Sequence, residues 1–365
     1  MTENFLHVSV LKNETINCLF PNKQNLDELI QKGEKTFIFS DFTMGGAGHS
    51  LAFIEKFSQH NYFSSINLHL IGFDRDQSAI NFCSEILKSI KEKHQGFSYQ
   101  LVNDNFSNVE HHFKNTFSNI KVHAMIADLG VSSPHLDNPH RGFSIKNEGP
   151  IDMRMDQQQE LNAEFVLQNY SESALTKLFF EYGEEPKARK LAKAIVEDRK
   201  TGKLPLQSTV AFAEYIRKIL SYHSSRTHPA TRTFQALRIE VNQELASLKQ
   251  LLRGVPKFIS PGGKIGLISF HSLEDRIIKH MMRSWQKGKL NEEDNFETIK
   301  QRKNFPFPFN LEIGHPDCFG KEIPRGGIVP SEEECKENPR ARSSRLRCFV
   351  FDDEFTYPWG KNEKS

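Results

Sequence analysis

Apolar residues in this chain follow two rhythms. Short runs rich in apolar residues, 36–41 (TFIFSD), 67–74 (NLHLIGFD), 96–104 (GFSYQLVND) and 121–128 (KVHAMIAD), each predict a strand, the first a buried parallel one. Between them apolar positions recur at helical spacing: Leu51, Ile54 and Phe57, then Ala79, Ile80, Cys83, Ile86, Leu87 and Ile90 behind a capping Asp76. A third helix, with Val109, Phe113 and Phe117, opens on a capping box, Ser107-x-x-Glu110. Strands and helices alternating over short connections predict an α/β fold with a parallel sheet and right-handed crossovers. Residues 1–35 read as a helical lead-in packed on the sheet edge.

After the fourth strand the rhythm changes. No strand is predicted from about Leu136 to Ser225. A polar loop over 137–160 leads to helices over 162–182, 186–200 and 208–221, with Pro186 suited to a first helical position. A long amphipathic helix spans 229–253, carrying Phe234, Leu237, Val241, Leu245, Leu248 and Leu252. A turn at Pro261-Gly262-Gly263 then precedes a fifth strand, KIGLISF. Ser272-x-x-Asp275 caps the next helix, 287–310 reads as a polar loop, and LRCFVFD is a final strand. The expected organisation is a sheet domain over 1–136 and 229–365, interrupted by a helical, substrate-binding domain over 137–228.

Composition narrows the class. With 365 residues, 37% hydrophobic and 26% charged, the chain is long enough for two domains. No stretch approaches a membrane span and no apolar signal core opens the chain, so a cytoplasmic protein without membrane contact is expected. The five cysteines lack CxxC spacing and read as free thiols. Net charge is only +2, but between Pro186 and Arg232 eleven Lys and Arg stand against three acids, and 338–347 (NPRARSSRLR) holds four Arg and none. Such runs beside a ligand crevice point to a polyanionic partner.

Candidate chemistry gathers at the strand tips, which a doubly wound sheet brings to one crevice. The loop after the first strand has glycines at 45, 46 and 48, the second strand ends on Asp74, Phe106 follows the third, and the fourth ends on Asp128. An acid in the position of Asp74 accepts from ribose hydroxyls. The loop is neither GxGxxG nor GxxxxGK[ST], and no basic residue follows the glycines, which favours a nucleoside without phosphates such as S-adenosylmethionine. An NAD-type site stays open on these residues alone. Phe106 suits an adenine face. Asp128, Ser132 and Ser133, in the loop Asp128-Leu-Gly-Val-Ser-Ser-Pro-His135, are candidate acceptors for the N–H bonds of a target amine. His111, His112, His135 and His140 have no metal-ligand spacing, and no metal site is expected.

These motifs together resemble the bacterial 16S ribosomal-RNA (cytosine-N4)-methyltransferases. The resemblance covers nearly the whole chain and includes HVSVL, DFTMGGAGHS, GFDRD, DLGVSSPHLD, GPIDMRMD, HPATRTFQALRIEVNQEL, GGKIGLISFHSLEDR and NPRARSSRLR. It implies a class I, Rossmann-like S-adenosylmethionine-dependent methyltransferase sheet with an inserted helical domain. It also implies 16S rRNA of the small ribosomal subunit as partner. Cofactor contacts carry over to Ala47, Gly48, His49, Asp74, Phe106, Asp128 and His135. Ala47 stands where the family more often has glycine, His135 where glutamine is common, and Ser9 where proline is usual. Arg154 of GPIDMRMD is either an RNA-phosphate ligand or part of an internal ion pair. A homodimer is left open. The competing readings are an amino-methyltransferase for another nucleic acid, and a catalytically silent RNA-binding ribosome-assembly factor.

Overall fold

The structure, a computed structural model, describes residues 9–118, 120–221, 228–287 and 318–355. Among the described residues seven strands form one sheet: β1 Thr36–Asp41, β2 Asn67–Asp74, β3 Phe97–Asn103, β4 Val122–Asp128, β5 Ile259–Ser269, β6 Gly320–Glu322 and β7 Arg345–Phe351. Their order is β3-β2-β1-β4-β5-β7-β6, parallel as far as β5, with β7 antiparallel to both its neighbours. The order reverses between β1 and β4, which opens a crevice at the carboxyl ends of the strands.

Period-two alternation in β1 builds both layers. Phe37 and Phe39 face one side, with Phe53 and Phe57 of α3 (Gly48–Ser58) and Leu87 of α4 (Gln77–Lys93). Phe39 and Phe53 stack with ring centres 4.1 Å apart. Ile38 faces the other side, with Phe113 of α5 (Val109–Asn115), Leu248 of α12 (Glu244–Phe258) and Trp285 of α13 (Ser272–Trp285). The lead-in forms α1 (Lys12–Leu19), packed on α3 and β5, and α2 (Lys23–Gln31).

A separate core runs from Phe143 to Val241. It is built by α7 (Ala163–Asn169), α8 (Glu172–Glu181), α9 (Ala188–Lys200), α10 (Thr209–Leu220) and α11 (Thr231–Asn242). No strand lies among the described residues of this stretch. No helix among the described residues is long and apolar enough to cross a membrane.

Several local expectations are corrected. The helix expected over 162–182 breaks at Tyr170, because the Ser171 side chain caps a new helix at Ala174 N. The long helix expected over 229–253 is two, α11 and α12, parted at Gln243 with φ +49°. Buried Asn242 makes that break by accepting from Met155 N (2.8 Å) and donating to Met153 O (2.8 Å). α9 begins after Pro186, at Ala188. Asn105, not Ser107, caps the turn Phe106–Asn108 that leads into α5, and Phe117 lies beyond that helix. His271, not Ser272, caps α13. Pro261-Gly262-Gly263 is an irregularity inside β5, opposite a register shift between Val122 and Ala124, and not a separate turn. α6 (Ser133–Asp137), β6 and α14 (Glu332–Glu337) were not foreseen. The loop expected at 287–310 lies outside the described residues except for Lys287.

Candidate active site

The crevice is a cavity of about 350 Å³ walled by the tips of β1, β2 and β4 and by α12. Asp41 anchors the glycine loop from below. It accepts from Ser50 Oγ (2.6 Å) and Thr43 N (3.0 Å), and burial pushes its carboxyl up. Asp74 ties this loop to β2. Its Oδ2 accepts from Gly45 N (2.7 Å) and its Oδ1 from Asp76 N (2.9 Å). Burial raises the Asp74 carboxyl to about 6 in spite of these donors. Gly45, with φ +46°, gives the left-handed turn that brings its N–H to Asp74. Gly48 packs directly against the Ser9 hydroxyl, which a Cβ at this position would displace.

Asp128 is held at the same edge by its backbone. Its N–H donates to Thr43 Oγ1 (2.7 Å), while its Oδ1 is buried without a hydrogen-bond partner. His49 Nε2 lies 3.4 Å from Asp128 Oδ2, yet neither ring nitrogen of His49 reaches hydrogen-bond geometry. Orphaned polar atoms at the crevice, a ribose-type acid and a glycine cradle together fit a nucleoside-bearing methyl donor. Gly45, Gly46, Gly48, Asp74, Asn105 and Phe106 would hold it. Ala47 sits behind the wall as the left-handed residue ahead of α3, with φ +59°.

The β4 loop folds into α6, and this reassigns several residues. His135 lines the crevice with both ring nitrogens engaged: Nδ1 meets Ser132 N (3.1 Å) and Oγ (3.0 Å), and Nε2 meets Asp76 Oδ2 (2.9 Å). Arg141 Nη1 donates to the same Asp76 oxygen (2.8 Å), and Arg141 Nη2 reaches Met155 O (2.8 Å). Burial pushes the Asp76 carboxyl up, but His135, Arg141 and Ser78 outweigh it and hold it well below the usual range. Ser133 does not line the cavity; its hydroxyl accepts from Arg340, which also pairs with Asp137 (2.8 Å). Arg154 resolves to the internal alternative, forked onto Asp152 (2.7 Å) and bonded to Gln157 O and Gln159 O. The arginines of NPRARSSRLR are also largely committed, Arg347 to Asp275 (2.7 Å) and Arg345 to Gly326 O.

Sequence reasoning missed the far wall. Arg238 Nε and Nη2 donate to Glu244 Oε1 (2.8 Å) and Oε2 (2.7 Å). Glu274 accepts from Phe270 N (2.8 Å), 3.2 Å from His271 Nε2. Burial raises the Glu274 carboxyl, but His271, Arg238 and the Phe270 N–H hold it below its ordinary value. The quoted motifs HPATRTFQALR and FHSLEDR contain these residues, and an arginine on the apolar face of a predicted helix was the available signal.

Asp74→Ala is expected to weaken S-adenosylmethionine binding by about 1–3 kcal/mol, the range for removing a buried acceptor. Because protonation removes that acceptor, wild-type affinity should fall as pH drops through about 6. Asp74→Asn should lose this dependence. Calorimetry between pH 5 and 8 checks both, and unchanged affinity in a folded Asp74→Ala protein removes Asp74 from the site.

Known proteins bear on this geometry. A family model described as the MraW methylase family matches residues 4–351. The chain is 40% identical over 328 residues to "Ribosomal RNA small subunit methyltransferase H" of Halothermothrix orenii, covering 89% of this chain and 95% of that one. It is 37% identical over 346 residues to the protein of that name from Synechococcus elongatus, covering 94% of each. The counterpart from Clostridioides difficile is 36% identical over 347 residues, 94% of this chain and 98% of its own. A methylase match over nearly the whole length, on a crevice shaped for a nucleoside, makes S-adenosylmethionine the methyl donor. The chain belongs to the MraW methylase family.

Proposed function

We propose that the protein methylates the exocyclic N4 amine of a cytidine in the 16S rRNA of the small ribosomal subunit. The observation that carries this reading is Asp128, whose backbone N–H is anchored on Thr43 and whose carboxylate keeps a buried, unpartnered Oδ1 at the crevice. The names of the relatives support small-subunit rRNA as the substrate.

An aryl amine is a poor nucleophile because its lone pair is delocalised into the ring. Asp128 accepts an N–H bond, which turns the N4 lone pair out of conjugation and stabilises the charge that develops on nitrogen. S-adenosylmethionine, held by Gly45, Gly46, Gly48, Asp74, Asn105 and Phe106, would supply an electrophilic sulfonium methyl group to the N4 lone pair and would leave as S-adenosylhomocysteine. The proton released from N4 passes to the Asp128 carboxylate and on to solvent. Ser132 and His135 act one step back, holding the loop. His49 Nε2 stands 3.4 Å from that carboxylate.

Ring-carbon methylation would need a cysteine nucleophile. No cysteine lines the crevice among the described residues. Cys83 is buried under the glycine loop with its thiol pushed up by burial, and its Sγ donates to Gly45 O (3.4 Å). Replacing all five cysteines with Ser or Ala should leave substantial methyl transfer and no covalent protein–RNA adduct. Loss of transfer in a folded variant that still binds cofactor and RNA, or a trapped adduct, overturns amine methylation.

The helical stretch 137–228 supplies the RNA grip in this reading. Lys187 is spent on Leu220 O (2.6 Å) and Arg199 on Leu167 O and Tyr170 O, whereas Arg189, Lys190 and Lys193 of α9 are exposed. Reversing those three charges should weaken RNA binding and flatten its salt dependence, with cofactor affinity unchanged. An unaltered salt slope in filter-binding assays would reduce α9 to solvated surface.

A further inference from the structure

The crevice carries more charge than a methyl donor needs. α11, α12 and α13 bring Arg238, Glu244 and Glu274 to its wall, next to Arg75 from the β2 tip. The Arg238–Glu244 fork uses Nε and Nη2 and leaves Nη1 uncommitted. Glu274 is only 2% exposed yet reaches the cavity, as does Phe270. His271 Nε2 and Arg75 Nε are buried without hydrogen-bond partners. Ligand atoms of Glu244, His271 and Glu274 lie within 4.8 Å of one another, but both oxygens of Glu244 already face the Arg238 guanidinium, which opposes a cation there. Alternating donors and acceptors on a partly dry wall suit a neutral planar ligand with the complementary pattern.

We propose that the Arg238–Glu244 pair, backed by Glu274, is the subsite that reads the Watson–Crick edge of the target cytosine. This rests on the N4-methylation reading. Cytosine presents an N4–H donor beside the acceptors N3 and O2. The free Arg238 amino group donates to N3 and O2, and the carboxylate beside it accepts from the N4–H that Asp128 does not take. Uracil reverses both contacts: O4 meets the carboxylate and N3–H meets the guanidinium. A site built of buried polar groups rejects such a mismatch strongly, because its own donors and acceptors are left unpaired. Phe270 offers a ring face for the extruded base. The ion pair therefore acts in specificity and positioning, while Asp128 handles the reacting amine.

The test uses the full chain loaded with S-adenosylhomocysteine and titrated with CMP and with UMP. Wild-type protein should bind CMP at least about tenfold more tightly than UMP, as one well-made base contact provides. Replacing both members of the pair, Arg238→Met with Glu244→Met, should bring that ratio to about one and keep S-adenosylhomocysteine affinity within about twofold. Arg238→Lys keeps the charge but loses the fork, and should lower the ratio even if the double variant does not fold. A wild-type ratio near one, or a ratio retained in a folded variant, overturns the subsite. If the wild-type protein makes N4-methylcytidine without CMP preference, the subsite alone fails. If the methyl group appears elsewhere than N4, the reading beneath it fails.

Discussion

One buried carboxylate holds the functional end of the molecule together. Asp76 takes donors from Ser78 N and Oγ, His135 Nε2 and Arg141 Nη1. Those donors belong to the start of α4, to α6 and to the loop that opens the helical insert. The sheet, the loop after β4 and the insert therefore meet at a single charged group that is almost out of water. Removing one partner of such a pair costs roughly 3–5 kcal/mol, because the other is left buried and uncompensated. The cluster also engages His135, which lines the crevice, through both its ring nitrogens.

Asn242 makes a second tie of the same kind. It stops α11, turns the chain at Gln243 and bonds the backbone at Met153 and Met155. Arg141 reaches Met155 from the other side. These two ties carry Arg238 and Glu244, on either side of the break, to the crevice wall. The geometry of this charged wall thus depends on the same loop that Asp76 anchors.

The sheet was legible because buried parallel strands are apolar on both faces and their tips carry the ligand-facing acids. Asp74, Phe106 and Asp128 were found that way, and all three line one cavity. The helix break at Gln243 was not legible, because the apolar period runs unbroken through Val241, Leu245 and Leu248 while the cause lies in contacts far along the chain. Arginine partners were misread for the same reason. NPRARSSRLR has no acid of its own, yet Arg340 finds Asp137 and Arg347 finds Asp275 and Glu322. Ser133 looked like an acceptor for the target amine until the fold delivered Arg340 to its hydroxyl. Local composition identifies the sheet edge that binds; it does not say which charges are already spent within the fold.

Delivery of a methyl group from this crevice to a cytosine amine in small-subunit rRNA is open to a single measurement. Unmodified small ribosomal subunits, incubated with the protein and methyl-labelled S-adenosylmethionine and then digested to nucleosides, test it most directly. Amine methylation predicts label in N4-methylcytidine. Label in 5-methylcytidine or in a methylated purine, or no transfer by a protein that binds both cofactor and subunit, would contradict it.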